Sequence, residues 1–303
     1  MSFEITILGC GSATPTAQRN PTAQVVQLHG RFFLIDCAEG TQMQLRRNKI
    51  NFQHIDHIFI SHLHGDHFFG LIGFISSMHL WGRTKPLAIY ANESLRAIIE
   101  LQLNSSDSVL RYEITWHNLK YDGKYLLFED KVVEIFSFPL NHRIPTCGFL
   151  IQEKIKERNL IRAKVMEYDI PLDQITAIKQ GADLLLEDGT TVPNNEITIA
   201  PPSTRDYAYC SDTIYDENVV PYITNATLLY HEATFMHNLL PRAKETYHST
   251  TIEAATIAKL ANVEQLVIGH YSARYADALP LLEEARTVFA NTQMAMDGRV
   301  FKI

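Results

Sequence analysis

The chain has 303 residues, 46% of them hydrophobic and 20% charged, with a net charge of -7. That balance excludes a disordered chain, a collagen repeat and a coiled coil, and the length suits one large domain or two without disulfide staples. The acidic net charge excludes a surface coated in positive charge, so any contact with nucleic acid must be local.

The longest run of apolar residues plus glycine, Phe68 to Ile75, is far shorter than the roughly 20 residues that cross a bilayer, so no membrane span is expected. The start, Met1-Ser2-Phe3-Glu4-Ile5, has no basic region ahead of a long apolar stretch, and the protein reads as cytoplasmic. The cysteines, Cys10, Cys37, Cys147 and Cys210, are scattered without CxxC pairing and read as reduced, buried thiols.

In chain order, Phe3-Glu4-Ile5-Thr6-Ile7 alternates as a strand and breaks at Gly9-Cys10-Gly11-Ser12. Residues 24–28 and 31–35 flank His29-Gly30 as a hairpin. His57 to Ile60 reads as a short buried strand, and after a histidine cluster an apolar stretch to Leu80 is long enough for a helix. Pro86 to Ala91 reads as the next strand. Asn92 is then placed to cap a helix carrying Leu95, Ile98, Ile99 and Leu103. From Gln152 to about Arg205 the character changes to polar and mixed charge, helix-like to Tyr168, and this segment reads as an insertion. Strands are expected again near 207–210, 226–230 and 265–268, with helices near 252–260 and 279–289. Thr250 and Glu253 form a capping box for the first of these helices. The expectation is two packed sheets with helices outside, interrupted by one projecting arm.

Ser61-His62-Leu63-His64-Gly65-Asp66-His67 sets three imidazoles and a carboxylate within six residues, directly after a buried strand. Imidazole and carboxylate are ligand types that zinc accepts, and a loop at a strand end can fold several side chains onto one point. Chance would produce HxHxDH in roughly one chain in a thousand of this length.

The cluster and its preceding strand resemble the metallo-β-lactamase fold superfamily, whose architecture is a four-layer αββα sandwich. A closer resemblance, to ribonuclease Z, rests on blocks over nearly the whole chain. They are Gly9 to Asn20, Asp36-Cys37-Ala38-Glu39-Gly40-Thr41-Gln42, the HxHxDH cluster, Asn141-His142, Ser211-Asp212-Thr213, His231-Glu232-Ala233-Thr234, His248-Ser249-Thr250 and His270-Tyr271-Ser272-Ala273-Arg274-Tyr275. The resemblance implies a single metallo-β-lactamase-like domain over residues 1–303, with residues 152–205 as a substrate-binding arm.

It also implies two zinc ions per chain: His62, His64 and His142 on the first, Asp66, His67 and His270 on the second, with Asp212 bridging. Two metals about 3.5 to 4 Å apart would activate a bridging hydroxide as nucleophile. Asp66 is the expected general base, and His248 the proton donor to the leaving oxygen, with Glu232 behind it. A helix starting near Thr250 would also turn backbone N–H groups toward a phosphate. His231, at a strand end, is expected to orient a ligand or neighbour.

The implied activity is an endoribonuclease that removes the 3′ trailer from precursor tRNA, leaving a tRNA 3′-hydroxyl and a 5′-phosphate on the trailer. A homodimer is implied by the same resemblance. Lys154, Lys156, Arg158, Arg162 and Lys164 in the insertion, with Arg274, are the candidate substrate contacts. The arm lacks the usual glycine-proline signature, Ala38 stands where glycine is usual in DCxEGTQ, and Cys210-Ser211 where Ser-Gly usually precedes the bridging aspartate. The alternatives are a zinc phosphodiesterase acting on small phosphodiesters or other RNA, and a non-catalytic RNA-binding relative.

Overall fold

The computed structural model describes residues 2–303 and divides into two compact units. The main unit holds the residues up to Glu129, Val133–Gln152 and Arg205–Ile303; the second unit holds Asp130–Val132 and Glu153–Thr204.

The main-unit strands are β1 (Phe3–Gly9), β2 (Ala23–Leu28), β3 (Arg31–Ile35), β4 (Ile55–Phe59), β5 (Leu87–Ala91), β6 (Ile114–Asn118), β7 (Tyr125–Glu129), β8 (Val133–Leu140), β9 (Thr146–Glu153), β10 (Asp206–Cys210), β11 (Leu228–Glu232), β12 (Gln265–Gly269), β13 (Thr292–Met294) and β14 (Val300–Lys302). They form two seven-stranded sheets, ordered β14-β1-β2-β3-β4-β5-β6 and β13-β12-β11-β10-β9-β8-β7. In the first sheet β14, β1, β2 and β3 run antiparallel, and from β3 to β6 the pairing is parallel. The second repeats the plan, antiparallel between β7 and β8 and between β9 and β10, then parallel from β10 to β13. The expected hairpin is present: Val26 pairs with Phe33 about His29 and Gly30, whose φ values of 45° and 82° suit the tight turn that matches strand twist.

The main core lies between the sheets, where Phe3, Ile5, Phe33 and Phe59 share one buried cluster with Ile135, Phe149, Tyr207 and Tyr209. On the first sheet's other face, Leu34, Ile58 and Ile89 pack with Phe74 and Met78 of helix Leu71–Leu80 and with Leu95 and Ile99 of helix Ser94–Ser105. Asn92 accepts from Ser94 N at 3.1 Å just before the latter helix, whose N-cap position is Glu93 rather than the expected Asn92. Against the second sheet, helix Thr251–Leu260 presents Ala254, Ala255 and Ala258, and the capping box at Thr250 and Glu253 is formed on both sides. The architecture is the expected four-layer αββα sandwich.

The helix expected after the histidine cluster comes in two pieces, Gly65–Phe68 and Leu71–Leu80. Gly70 between them lies so close to the segment after β3 that a Cβ there would meet the Ala38 carbonyl oxygen at 2.0 Å. Gly70 N donates to Cys37 O at 2.9 Å, and Cys37 N to His67 O at 2.7 Å, so the cluster is stitched to the end of β3.

The second unit has its own small core of Ile170, Ile178, Leu184, Val192 and Ile197. Its first helix begins only at Arg162, so Lys154, Lys156 and Arg158 lie outside it, unlike the helix expected to Tyr168. The physical reason is a competing pairing, in which Asn159 and Leu160 form a short antiparallel ladder with Ile199 and Thr198, anchored where Arg158 Nε donates to Thr198 Oγ1 at 2.7 Å.

Candidate metal centre

Strand ends bring the histidines and carboxylates together. The cluster from Ser61 to His67 follows β4, His142 follows β8, Asp212 follows β10, Glu232 ends β11 and His270 follows β12, and each lies at its strand's C-terminal end. That is where an open, partly parallel sheet presents functional loops. The donor atoms of His62, His64, His142 and Asp212 lie within 4.8 Å of one another, as do those of Asp66, His67 and His270. All seven residues singled out from the sequence as metal donors meet here.

Asp212 sits between the two groups. Its Oδ2 faces His62 Nε2 at 3.5 Å and His142 Nε2 at 3.9 Å, while its Oδ1 faces His67 Nε2 at 3.3 Å and His270 Nε2 at 3.2 Å. On the first side, His64 Nδ1 is 3.0 Å from His62 Nε2 and 3.2 Å from His142 Nε2. On the second, Asp66 Oδ2 is 3.7 Å from His67 Nε2 and 3.4 Å from His270 Nε2. The Ala13 amide donates to the same Asp66 oxygen at 2.7 Å, which ties the loop after β1 to the site.

This donor set suits divalent cations. Asp212 Oδ1, His67 Nε2 and His270 Nε2 are buried and have no hydrogen-bond partner among the described residues, an arrangement that is costly unless a cation is shared among them. Burial pushes His62 and His142 down to about 4, so both are neutral and present lone pairs at neutral pH. Burial would likewise lower His67, but Asp212, Asp36 and Asp66 around it hold a proton there well above the ordinary histidine range. Positive charge is what that point favours, and a cation supplies it. The residues can therefore hold divalent metal ions.

The outer ring nitrogens are held in turn. His67 Nδ1 donates to Asp36 Oδ2 at 2.8 Å, and Asp36 also accepts from Ser61 N at 2.8 Å, Ser61 Oγ at 3.0 Å and Tyr209 OH at 2.7 Å. His142 Nδ1 donates to the Tyr247 carbonyl at 2.8 Å. Asp36, fully buried directly after β3, carries a role that its residue type alone does not signal, although it opens the Asp36–Gln42 stretch. The available signal was its position, a carboxylate directly after a buried strand, as with Glu232.

His248 Nδ1 donates to Glu232 Oε1 at 2.9 Å. Burial would lower His248, but the charge and hydrogen bond of Glu232, helped by Asp212 and Asp66, raise it to about 9. His248 lines an open cavity of about 400 Å³ together with Asp66, His64, Asp212, His270 and Arg143. His231 touches no member of the donor set; its Nδ1 donates to the Glu232 carbonyl at 2.7 Å and so braces the end of β11. Arg274 is exposed, lies over the Phe235 ring and does not line the cavity, whereas Arg143, which sequence reading passed over, does. Lys154, Lys156, Arg158, Arg162 and Lys164 belong to the second unit.

Solved structures share this arrangement of sheets. A metallo-β-lactamase fold protein, YhfI from Bacillus subtilis, superposes over 100% of both chains with a TM-score of 0.70 at 18% identity. Human short-form tRNase Z covers 98% of both chains with a TM-score of 0.72 at 28% identity. The fold and the clustered donors define the class, a metallo-β-lactamase-fold protein whose side chains can hold divalent metal. Among curated proteins, the ribonuclease Z of Bacteroides thetaiotaomicron is 46% identical over 301 residues, 99% of this chain and 95% of that protein. The Porphyromonas gingivalis ribonuclease Z is 45% identical over 98% of this chain and 99% of that protein. The chain belongs to the ribonuclease Z family. The family described as "Anti-Pycsar protein Apyc1" also matches residues 3–155, a span that holds HxHxDH and His142 but ends before Asp212, Glu232, His248 and His270. Among the described residues no helix is long and apolar enough to cross a membrane.

Proposed function

We propose that the chain is the endoribonuclease that removes the 3′ trailer from precursor tRNA, working with two zinc ions. The observation that carries this reading is the pair of donor groups flanking Asp212, in a chain related to ribonucleases Z over nearly its whole length. His62, His64 and His142 would hold one ion, Asp66, His67 and His270 the other, and Asp212 both. Bound there, the ions would acidify water and neutralise charge on the phosphate under attack.

The side chains supply the rest of the reaction. Asp66, part-exposed to the cavity, accepts the proton of the attacking water. As the bond between phosphorus and the tRNA O3′ breaks, His248 donates its proton to that oxygen. Glu232 holds the other ring proton on Nδ1 in its hydrogen bond, so the proton given to O3′ is the one on Nε2. The tRNA leaves with a 3′-hydroxyl and the trailer with a 5′-phosphate.

The finer assignments belong to the same proposal. Residues 152–205 act as an arm that holds the tRNA body, and the enzyme works as a homodimer in the cytoplasm, a reducing compartment suited to four unpaired, buried cysteines. Incubating purified protein with one precursor tRNA and mapping both product ends tests the function. A single cut after the acceptor stem with the stated ends is expected. Hydrolysis of a small chromogenic diester with no cut in precursor tRNA would overturn the tRNA reading and favour a small-phosphodiester hydrolase.

A further inference from the structure

Thr234, the last residue of the HEAT block, has no role in the chemistry above, yet it is buried between two parts of the site. Its Oγ1 is 2.8 Å from Glu232 Oε2 and 3.0 Å from His270 Nδ1. Glu232 is buried and ionised, its carboxyl held below the usual range against burial chiefly by the charge of His248, so it can only accept. The hydroxyl proton of Thr234 is therefore directed to Glu232. The same oxygen is left with lone pairs, which accept from His270 only if the ring carries its proton on Nδ1. Nε2 is then the ring nitrogen left to face Asp66 and Asp212, free to give its lone pair to an ion held there.

We infer that Thr234 is a positioning residue that fixes the tautomer of His270 through Glu232, so that one buried carboxylate sets the proton positions of both His248 and a metal donor. The main unit contains the same device a second time. Ser61 Oγ stands 3.0 Å from Asp36 Oδ2 and 3.0 Å from His62 Nδ1, while Asp36 bonds His67 directly. In each case one histidine meets the carboxylate directly and one meets it through a hydroxyl.

The inference rests on the reading of His270 as a metal donor. Outer partners of metal-bound histidines are worth about 10- to 100-fold in affinity. Thr234→Val keeps the shape and removes the hydroxyl, and Thr234→Ser restores it. Zinc affinity, measured by competition with a chromophoric chelator, should fall about 10- to 100-fold for one of two ions in Thr234→Val and return in Thr234→Ser. Nitrogen-15 spectra of labelled histidine in the metal-free wild-type protein give a test that needs no variant to fold, and His270 should carry its proton on Nδ1. A wild-type His270 with no proton on Nδ1, a valine variant with wild-type affinity for both ions, or a serine variant as weak as valine would overturn the inference. A wild-type protein that binds no zinc would instead overturn the metal centre itself.

Discussion

Asp36 follows β3 in the first sheet and Glu232 ends β11 in the second, and both are fully buried carboxylates that gather donors from several segments. Asp36 accepts from Ser61 N, Ser61 Oγ, His67 Nδ1 and Tyr209 OH. Glu232 accepts from Thr213 N, Ser249 N and His248 Nδ1 on one oxygen, and from Thr234 N and Oγ1 on the other. They differ in what the directly bonded histidine faces. His67 is sealed from solvent and turns Nε2 toward Asp212, whereas the His248 side chain remains 12% exposed and lines the cavity. A carboxylate behind an imidazole fixes its proton, and in the proposed mechanism the surroundings of the opposite nitrogen decide whether the ring serves an ion or a leaving group.

The comparison breaks most sharply at Asp36. Asp36→Asn sets an amide against four donors and removes the charge that supports His67, so a stability loss of about 3 to 5 kcal/mol is expected by denaturant titration, together with loss of zinc binding. On the Glu232 side the fold should survive and the rate should not. His248→Ala should keep its metal and its tRNA affinity while cleavage slows by about 10²- to 10⁴-fold. A nitrophenyl diester, whose leaving group needs no proton, should lose much less. Equal losses on both substrates would remove His248 from the donor role.

The second unit provides the mildest contrast, because most of its charges, Glu153 apart, are at least partly exposed and much of its basic set is engaged. Between residues 153 and 204 there are six Lys and Arg against nine Asp and Glu, so the unit is net acidic. Lys164 pairs with Glu167 at 2.8 Å, Lys179 with Glu157 at 3.0 Å, and Arg158 bonds Thr198. Lys156 and Arg162 make no such pair among the described residues. Replacing both with Gln should weaken tRNA binding and flatten its salt dependence by about one unit of slope per lost phosphate contact. Lys164→Gln should change it less. Filter binding at several salt concentrations separates the two, and equal effects would contradict the ranking.

The same contrast explains what the sequence made legible. HxHxDH after a buried strand is dense enough to be read directly, and His142, Asp212 and His270 follow from the resemblance together with their strand-end positions. Buried donors must meet at one point, so their residue types and spacing carry the geometry. Asp36, Ser61 and Thr234 were not read, because a lone carboxylate or hydroxyl at a strand end has many structural uses and only the three-dimensional contact separates them. The basic stretch misled in its shape: mixed charge looked helical as far as Tyr168, while a two-residue ladder with Thr198 and Ile199, remote in sequence, holds residues 159 and 160 extended.

The central claim is that Asp212 joins two cation sites built from strand ends. Elemental analysis of protein purified without chelator, saturated with zinc and freed of excess by gel filtration, tests it most directly. The account predicts about two zinc ions per chain, with occupancy of both falling in Asp212→Ala and of one only in His142→Ala. At most one transition metal per chain in the wild-type protein would contradict it.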